Sequence, residues 1–243
     1  MTDKQRDESW AAFDQDVDAQ GGYQYTDGSR LSARIANERY TELIVDSADF
    51  AGKRVVDVGS GDGTYTAALA DHSDAAEIIG VEPSPKAVER AQSAYASYGA
   101  RLQFECCSSR DLLEAGKHYD IAVYRGVIHH VPDPKEEIAR AVALADRVVI
   151  LEPNGVNLMM KLAERLSRYH REHHERSFVP RTLSSWVNAA GGKVERVRFF
   201  GLVPYFCPDA VARLGRMLEP IIEVIPLLRA GLCGQYVLVA GGR

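Results

Sequence analysis

From residue 53 onward, short apolar runs alternate with amphipathic stretches. "KRVVDVG" (53–59), "AEIIGVEP" (76–83), "RLQFECC" (101–107), "YDIAVYRG" (119–126) and "DRVVILEP" (146–153) are almost continuously apolar and of strand length. Runs of this kind predict strands buried on both faces, as in a parallel sheet. Helical patterns fill the gaps at about 63–71, 86–99 and 135–145. Ser84–Pro85 and Asp133–Pro134 each offer a capping side chain followed by a proline at the first turn, and Gly99 closes the helix before it. Strands alternating with helices predict a doubly wound α/β sheet with helices on both faces.

The pattern is less regular at both ends. Residues 1–50 are polar and partly helical, with an amphipathic "RLSARIANERYTELIVDSA". After 155 we expect a polar helix over 156–176, a helix over 180–192, a strand over 193–206, a helical segment over 208–230 broken by Pro220 and Pro226, and a final strand over 234–242. The expected organisation is one domain. Its parts are a helical extension or lid (1–50), a ligand-binding core (51–155) and two insertions on the substrate side (156–179 and 207–231).

Composition narrows the class. The 243 residues suffice for one sizeable domain, with 46% apolar and 26% charged residues. A net charge of −5 argues against a general nucleic-acid binder. No apolar run is long enough to span a membrane, and the polar "MTDKQRDESW" holds no signal core, so a cytoplasmic protein is expected. Cys106, Cys107, Cys207 and Cys233 form no C-x-x-C pair, and no metal centre is expected.

"VVDVGSGDGTYT" (55–66) carries the strongest chemical signal. A strand ends in glycines and a helix begins, so bare backbone and free N–H groups face a ligand. A nicotinamide-dinucleotide fingerprint requires G-x-G-x-x-G, but here the third position is Thr64 and the extra glycine is Gly63. Asp57 precedes the loop, where a carboxylate repels a pyrophosphate and attracts a cationic amino acid end. Glu82, ending the second strand, suits the hydroxyls of a ribose.

With "VEPS", "YDIAVYRGVIHHVPDP" and "VVILEPNG" in order behind it, this segment resembles a class I S-adenosylmethionine-dependent methyltransferase over about residues 50–155. The resemblance implies a seven-stranded, Rossmann-like sheet, mostly parallel with an antiparallel last strand. It also implies S-adenosyl-L-methionine as cofactor and S-adenosyl-L-homocysteine as product. Asp57, Gly59, Ser60, Gly61 and Gly63 would line the methionine part, and Glu82 would hold the ribose. Pro83 and Ser84 would pass the adenine, Ser108 would stand where many relatives have an aspartate, and Ser109 would join the cofactor-binding set. Arg125 and Gly126 would end the fourth strand under the sulfonium.

"GVIHHVPDP" leaves that strand at the ligand end of the sheet, so His129 and His130 fall within reach of a transferred methyl. Either one serves as base or hydrogen-bonder, His129 being favoured, or the pair only shapes a turn. Glu152 orients a histidine or a substrate hydroxyl, or else caps the next helix; Asn154 and Tyr25 are candidate substrate contacts, with Arg34 beside Tyr25. His170, His173 and His174 share a helix face and read as solvated. The apolar side of 217–228 reads as pocket wall or homodimer face rather than membrane anchor, and a lipid-like substrate would also explain it. The expected reaction is methyl transfer to a small molecule, O-methylation first. N- or C-methylation by proximity, and a non-catalytic adenosyl-ligand binder, remain open.

Overall fold

The computed structural model describes residues 28–157, 161 and 177–242. Seven strands form one sheet: β1 (Arg54–Val58), β2 (Glu77–Val81), β3 (Leu102–Glu105), β4 (Tyr119–Arg125), β5 (Ala145–Pro153), β6 (Lys193–Phe200) and β7 (Gln235–Gly241). Their order is β3-β2-β1-β4-β5-β7-β6. The first five run parallel, and β7 is antiparallel to both β5 and β6. The expected seven-stranded, mostly parallel sheet with an antiparallel last strand is what the chain forms.

The helices are α1 (Leu31–Val45), α2 (Thr64–His72), α3 (Pro85–Ala94), α4 (Ser109–Glu114), α5 (Pro134–Leu144), α6 (Pro180–Ala189), α7 (Asp209–Val224) and α8 (Pro226–Leu232). On one face of the sheet Leu112, Ile138, Leu183 and Val187 pack over Val56, Tyr124, Ile150 and Leu238. On the other, Leu43, Leu69 and Val88 pack over Val55, Ile78, Val123 and Val237. The apolar runs are therefore continuous because consecutive residues enter different cores. The chain winds from β1 to β3 in one direction and restarts at β4 on the other side of β1. That reversal opens a crevice beyond the carboxyl ends of β1 and β4, where open α/β sheets bind ligands.

Three boundaries differ from expectation. Strand β6 stops at Phe200 rather than 206, because Gly201 turns the chain with φ +78°. Helix α3 ends at Ala94, and a 3-10 turn over Ala96–Arg101 contains Gly99 at φ +59°. Helix α7 runs through Pro220 and breaks only at Ile225, before Pro226. Pro220 lies on the exposed side of α7, where water can serve the carbonyl that loses its donor. Of the expected 156–176 helix only Val156, Asn157 and Lys161 fall among the described residues, and the lid segment before residue 28 lies outside them.

Candidate active site

The loop from β1 to α2 holds Gly59, Gly61 and Gly63 at φ +76°, +55° and +81°. Two of these positions admit no side chain. A Cβ on Gly59 would stand 2.6 Å from Val127 Cγ2, and one on Gly63 2.7 Å from Phe104 Cζ. Gly63 is the N-cap of α2 and offers no capping side chain, so the helix presents backbone to the crevice. Ser60 contributes its backbone rather than its hydroxyl. Its Cβ stands 2.9 Å from where one on Gly80 would sit, and its Oγ is buried without a partner.

Glu82 reaches over this loop from the end of β2. Its carboxylate accepts from Gly61 N at 3.3 Å and Ser84 N at 3.0 Å. Ser84 in turn caps α3 by accepting from Ala87 N. Pro83 turns its carbonyl toward Cys106 Sγ at 3.6 Å. Ser108 caps α4 in a reciprocal box with Asp111, its N and Oγ both bonded to Asp111 Oδ2 at 2.8 and 2.7 Å. Ser109, by contrast, is buried and bonded to Tyr124. Its side chain belongs to the core and not to the cofactor-binding surface expected of it.

Asp57 lies at the root of the loop, 5% exposed. It accepts a 2.6 Å hydrogen bond from Thr66 Oγ1. Burial pushes its carboxyl up to about 6, although the Thr66 bond and the nearby Arg125 charge pull the other way. Arg125, at the end of β4, is turned toward α1. It donates to Thr41 Oγ1 at 2.9 Å and to Asn37 O and Oδ1 at 3.3 and 3.1 Å. Its guanidinium stacks 3.7 Å over the Tyr65 ring, and Tyr205 donates to the same Asn37 Oδ1 at 2.7 Å. Arg125 thus fastens α1 and the loop after β6 onto the sheet, beside the carboxylate of Asp57.

Beyond β4 the chain turns at Gly126, whose φ of +68° favours glycine, and the His129 ring packs beside it. His129 Nδ1 lies 2.8 Å from Glu152 Oε2. The other Glu152 oxygen accepts from Ile128 N at 2.8 Å, and the Glu152 side chain is wholly buried. A carboxylate accepts, so the proton between the two groups sits on Nδ1. Of the two roles open to Glu152, orienting a histidine is the one its contacts fit. His130 packs its ring on His129, centroids 3.9 Å apart, and its N–H bonds Val127 O.

Asn154 does not face this crevice. It is fully buried; its amide donates to Ala230 O and Cys233 O at 2.9 and 2.8 Å, and its Oδ1 accepts from Val156 N. It ties the end of β5 to the end of α8 and has no group left for a substrate. Arg34 bonds the carbonyls of Gly28 and Ser29. Tyr25, His170, His173 and His174 lie outside the described residues. Among the described residues, no group of His, Cys, Asp or Glu is arranged for a metal ion. Sequence reasoning missed Thr66, Tyr65, Asn37, Thr41 and Tyr205. Thr66, one turn into α2 behind the glycine loop, was the one within reach of sequence; the others meet only through tertiary packing.

A reversed sheet with a glycine turn after β1 and an acid ending β2 points to a class of protein: over its core the chain is similar to S-adenosylmethionine-dependent methyltransferase domains. Residues 55–155 match the family model described as "Methyltransferase domain". A "Ubiquinone biosynthesis O-methyltransferase" of Neisseria meningitidis is 33% identical over 117 residues, 47% of this chain and 46% of that protein. The chain therefore matches less than half the length of that relative. Among solved structures, a Thermotoga maritima protein described as a possible histamine N-methyltransferase superposes with TM-score 0.68 at 17% identity, covering 97% of this chain and 100% of that one. Magnesium protoporphyrin IX methyltransferase from Synechocystis, with SAM bound, gives TM-score 0.62 at 15% identity, covering 97% of each chain. At such identities the superpositions establish the fold alone.

The crevice fits the cofactor of this class. The left-handed turns at Gly59, Gly61 and Gly63 fold the loop tightly at the crevice, the buried Asp57 answers an ammonium, and Glu82 has acceptors for two hydroxyls.

Proposed function

We propose that this protein transfers a methyl group from S-adenosylmethionine to the oxygen of a small-molecule acceptor, with His129 as the base. The observation that carries the reading is the 2.8 Å contact of His129 Nδ1 with a wholly buried Glu152. The names of the curated relatives support oxygen as the methylated atom.

S-adenosylmethionine, when bound, supplies a methyl made electrophilic by its sulfonium. The chain's own groups do the rest. Asp57 holds the ammonium of the methionine end, Glu82 the ribose, and the backbone at Gly59, Gly61 and Gly63 lies against the ligand. Ser108 and the Pro83 backbone border the adenine. His129 would take the acceptor's hydroxyl proton on Nε2 as the methyl exchanges its bond to sulfur for one to oxygen and S-adenosylhomocysteine leaves as a neutral thioether, and Glu152 would stabilise the resulting imidazolium through Nδ1–H. Holding the acceptor oxygen in line supplies much of the remaining acceleration. His130 buttresses the His129 ring. We assign acceptor choice to the parts of the chain outside 51–155.

The test separates binding from chemistry. S-adenosylhomocysteine affinity is measured by calorimetry, and turnover is followed with labelled cofactor against a panel of phenols, alcohols and amines. The expected result is micromolar-range binding, O-methylated product and, for His129→Gln, turnover lowered by about a hundredfold or more at unchanged cofactor affinity. Turnover on amines alone, or a His129→Gln rate equal to that of the parent, would rule out the histidine-assisted O-transfer.

A further inference from the structure

Helix α7 is amphipathic in the reverse of the usual sense. Its buried side carries Ala212, Glu219 and Glu223. Glu219 accepts from Leu202 N at 2.9 Å and pairs with Arg216 at 3.1 Å. Glu223 lies 2.9 Å from Arg39 and 3.2 Å from Arg198. The opposite side is apolar and open: Leu214, Met217, Ile221 and Val224 are 52, 66, 58 and 71% exposed. Their spacing of three, four and three residues makes one stripe, and α8 adds Leu227, 87% exposed. An open stripe of this size marks an interaction surface.

The charges beside the stripe select the partner. Arg213 and Arg216 are exposed along one flank, Arg216 held by Glu219 at 3.1 Å and by Glu42 of α1 at 3.9 Å, while both glutamates of α7 are turned inward and engaged. Asp209, the first residue of α7, is the one acid of α7 and α8 on the solvent side. A second copy pairing through the same face would bring two Arg213 side chains together, and α7–α8 offers only Asp209 on the solvent side to answer them. An anionic headgroup layer answers them directly.

We propose that α7–α8 docks on an anionic lipid surface. The stripe enters between headgroups, and Arg213 meets a lipid phosphate, as interfacial helices do. Among the described residues no helix is long and apolar enough to cross a membrane, so α7–α8 lies on the surface rather than through it. This docking is independent of the methyl-transfer reading, since none of these side chains belongs to the cofactor crevice.

The test is co-sedimentation of the full chain with vesicles of phosphatidylcholine alone and of phosphatidylcholine mixed with phosphatidylglycerol. Binding is expected to the mixed vesicles, to weaken with added salt, and to fall roughly fivefold in Arg213→Gln. Met217→Glu and Leu227→Glu should abolish it while keeping the parent circular dichroism melt, because both positions are exposed. Absence of sedimentation with mixed vesicles, equal sedimentation with both vesicle types, or undiminished binding by the two glutamate variants overturns the proposal. A dimer in ultracentrifugation that those variants dissociate, without vesicle binding, assigns the face to a second copy instead.

Discussion

His129 and Glu152 meet at 2.8 Å although 23 residues separate them, one from the turn after β4 and the other from the end of β5. The contact fixes which ring nitrogen carries the proton. In Glu152→Gln an amide oxygen can still accept from Ile128 N, but the amide NH₂ then faces Nδ1. The ring must move its proton to Nε2, and the base is blocked. We expect turnover to fall by about two orders of magnitude or more with cofactor affinity retained. Steady-state kinetics alongside calorimetry would check this.

Asp57 gives a pH dependence of known sign. Its folded value of about 6 stands above that of an ordinary aspartate, so ionisation opposes folding of the ligand-free protein. The stability contributed by the protonated form is lost as pH rises from about 4 to about 6, by up to about 3 kcal/mol. Cofactor binding runs the other way, because only the carboxylate attracts an ammonium. S-adenosylhomocysteine affinity should therefore weaken as pH falls through about 6. Asp57→Asn should flatten that profile, bind poorly at pH 8, and melt higher than the parent without ligand. A titration series by calorimetry, paired with thermal melts, reads all three.

Gly63→Ala should harm the fold as well as the site. The position combines φ +81° with a Cβ path 2.7 Å from Phe104 and 2.9 Å from Ala91. Left-handed strain and overpacking together cost about 2–4 kcal/mol. Urea denaturation should show the loss as a lower midpoint with an unchanged slope.

Asn154→Ala should separate architecture from chemistry. It leaves the buried carbonyls of Ala230 and Cys233 without the Asn154 donor. Stability should drop by about 1–3 kcal/mol, while the acceptor KM measured below the new melting temperature stays at the parent value. A raised KM with unchanged stability would return Asn154 to the substrate.

The sheet was legible because buried parallel strands leave long apolar runs, and the glycine loop because its backbone tolerates nothing else. Helix α4 escaped notice: it has six residues and no apolar period, and only the Ser108–Asp111 spacing marks its start. Strand β6 was read too long because "GLVPYF" is apolar, yet those residues serve the loop that brings Tyr205 onto Asn37. Arg125 was placed correctly on the chain, but its stacking on Tyr65 depends on α1 and α2 meeting at β4. Asn154 was misread because nearness in sequence to Glu152 does not fix the face: the strand pairing ends at Pro153, and Asn154 turns toward α8.

The strand order has a consequence for how the chain is made. Within the sheet β6 pairs only with β7, which is synthesised after it. The half from β1 to β5 can assemble as it leaves the ribosome, whereas β6 waits unpaired and the edge of β5 stays open until residue 235 and those after it emerge. A chain stalled before that point would hold a nearly complete cofactor crevice beside an uncovered strand edge. Such an intermediate is prone to clump with its neighbours.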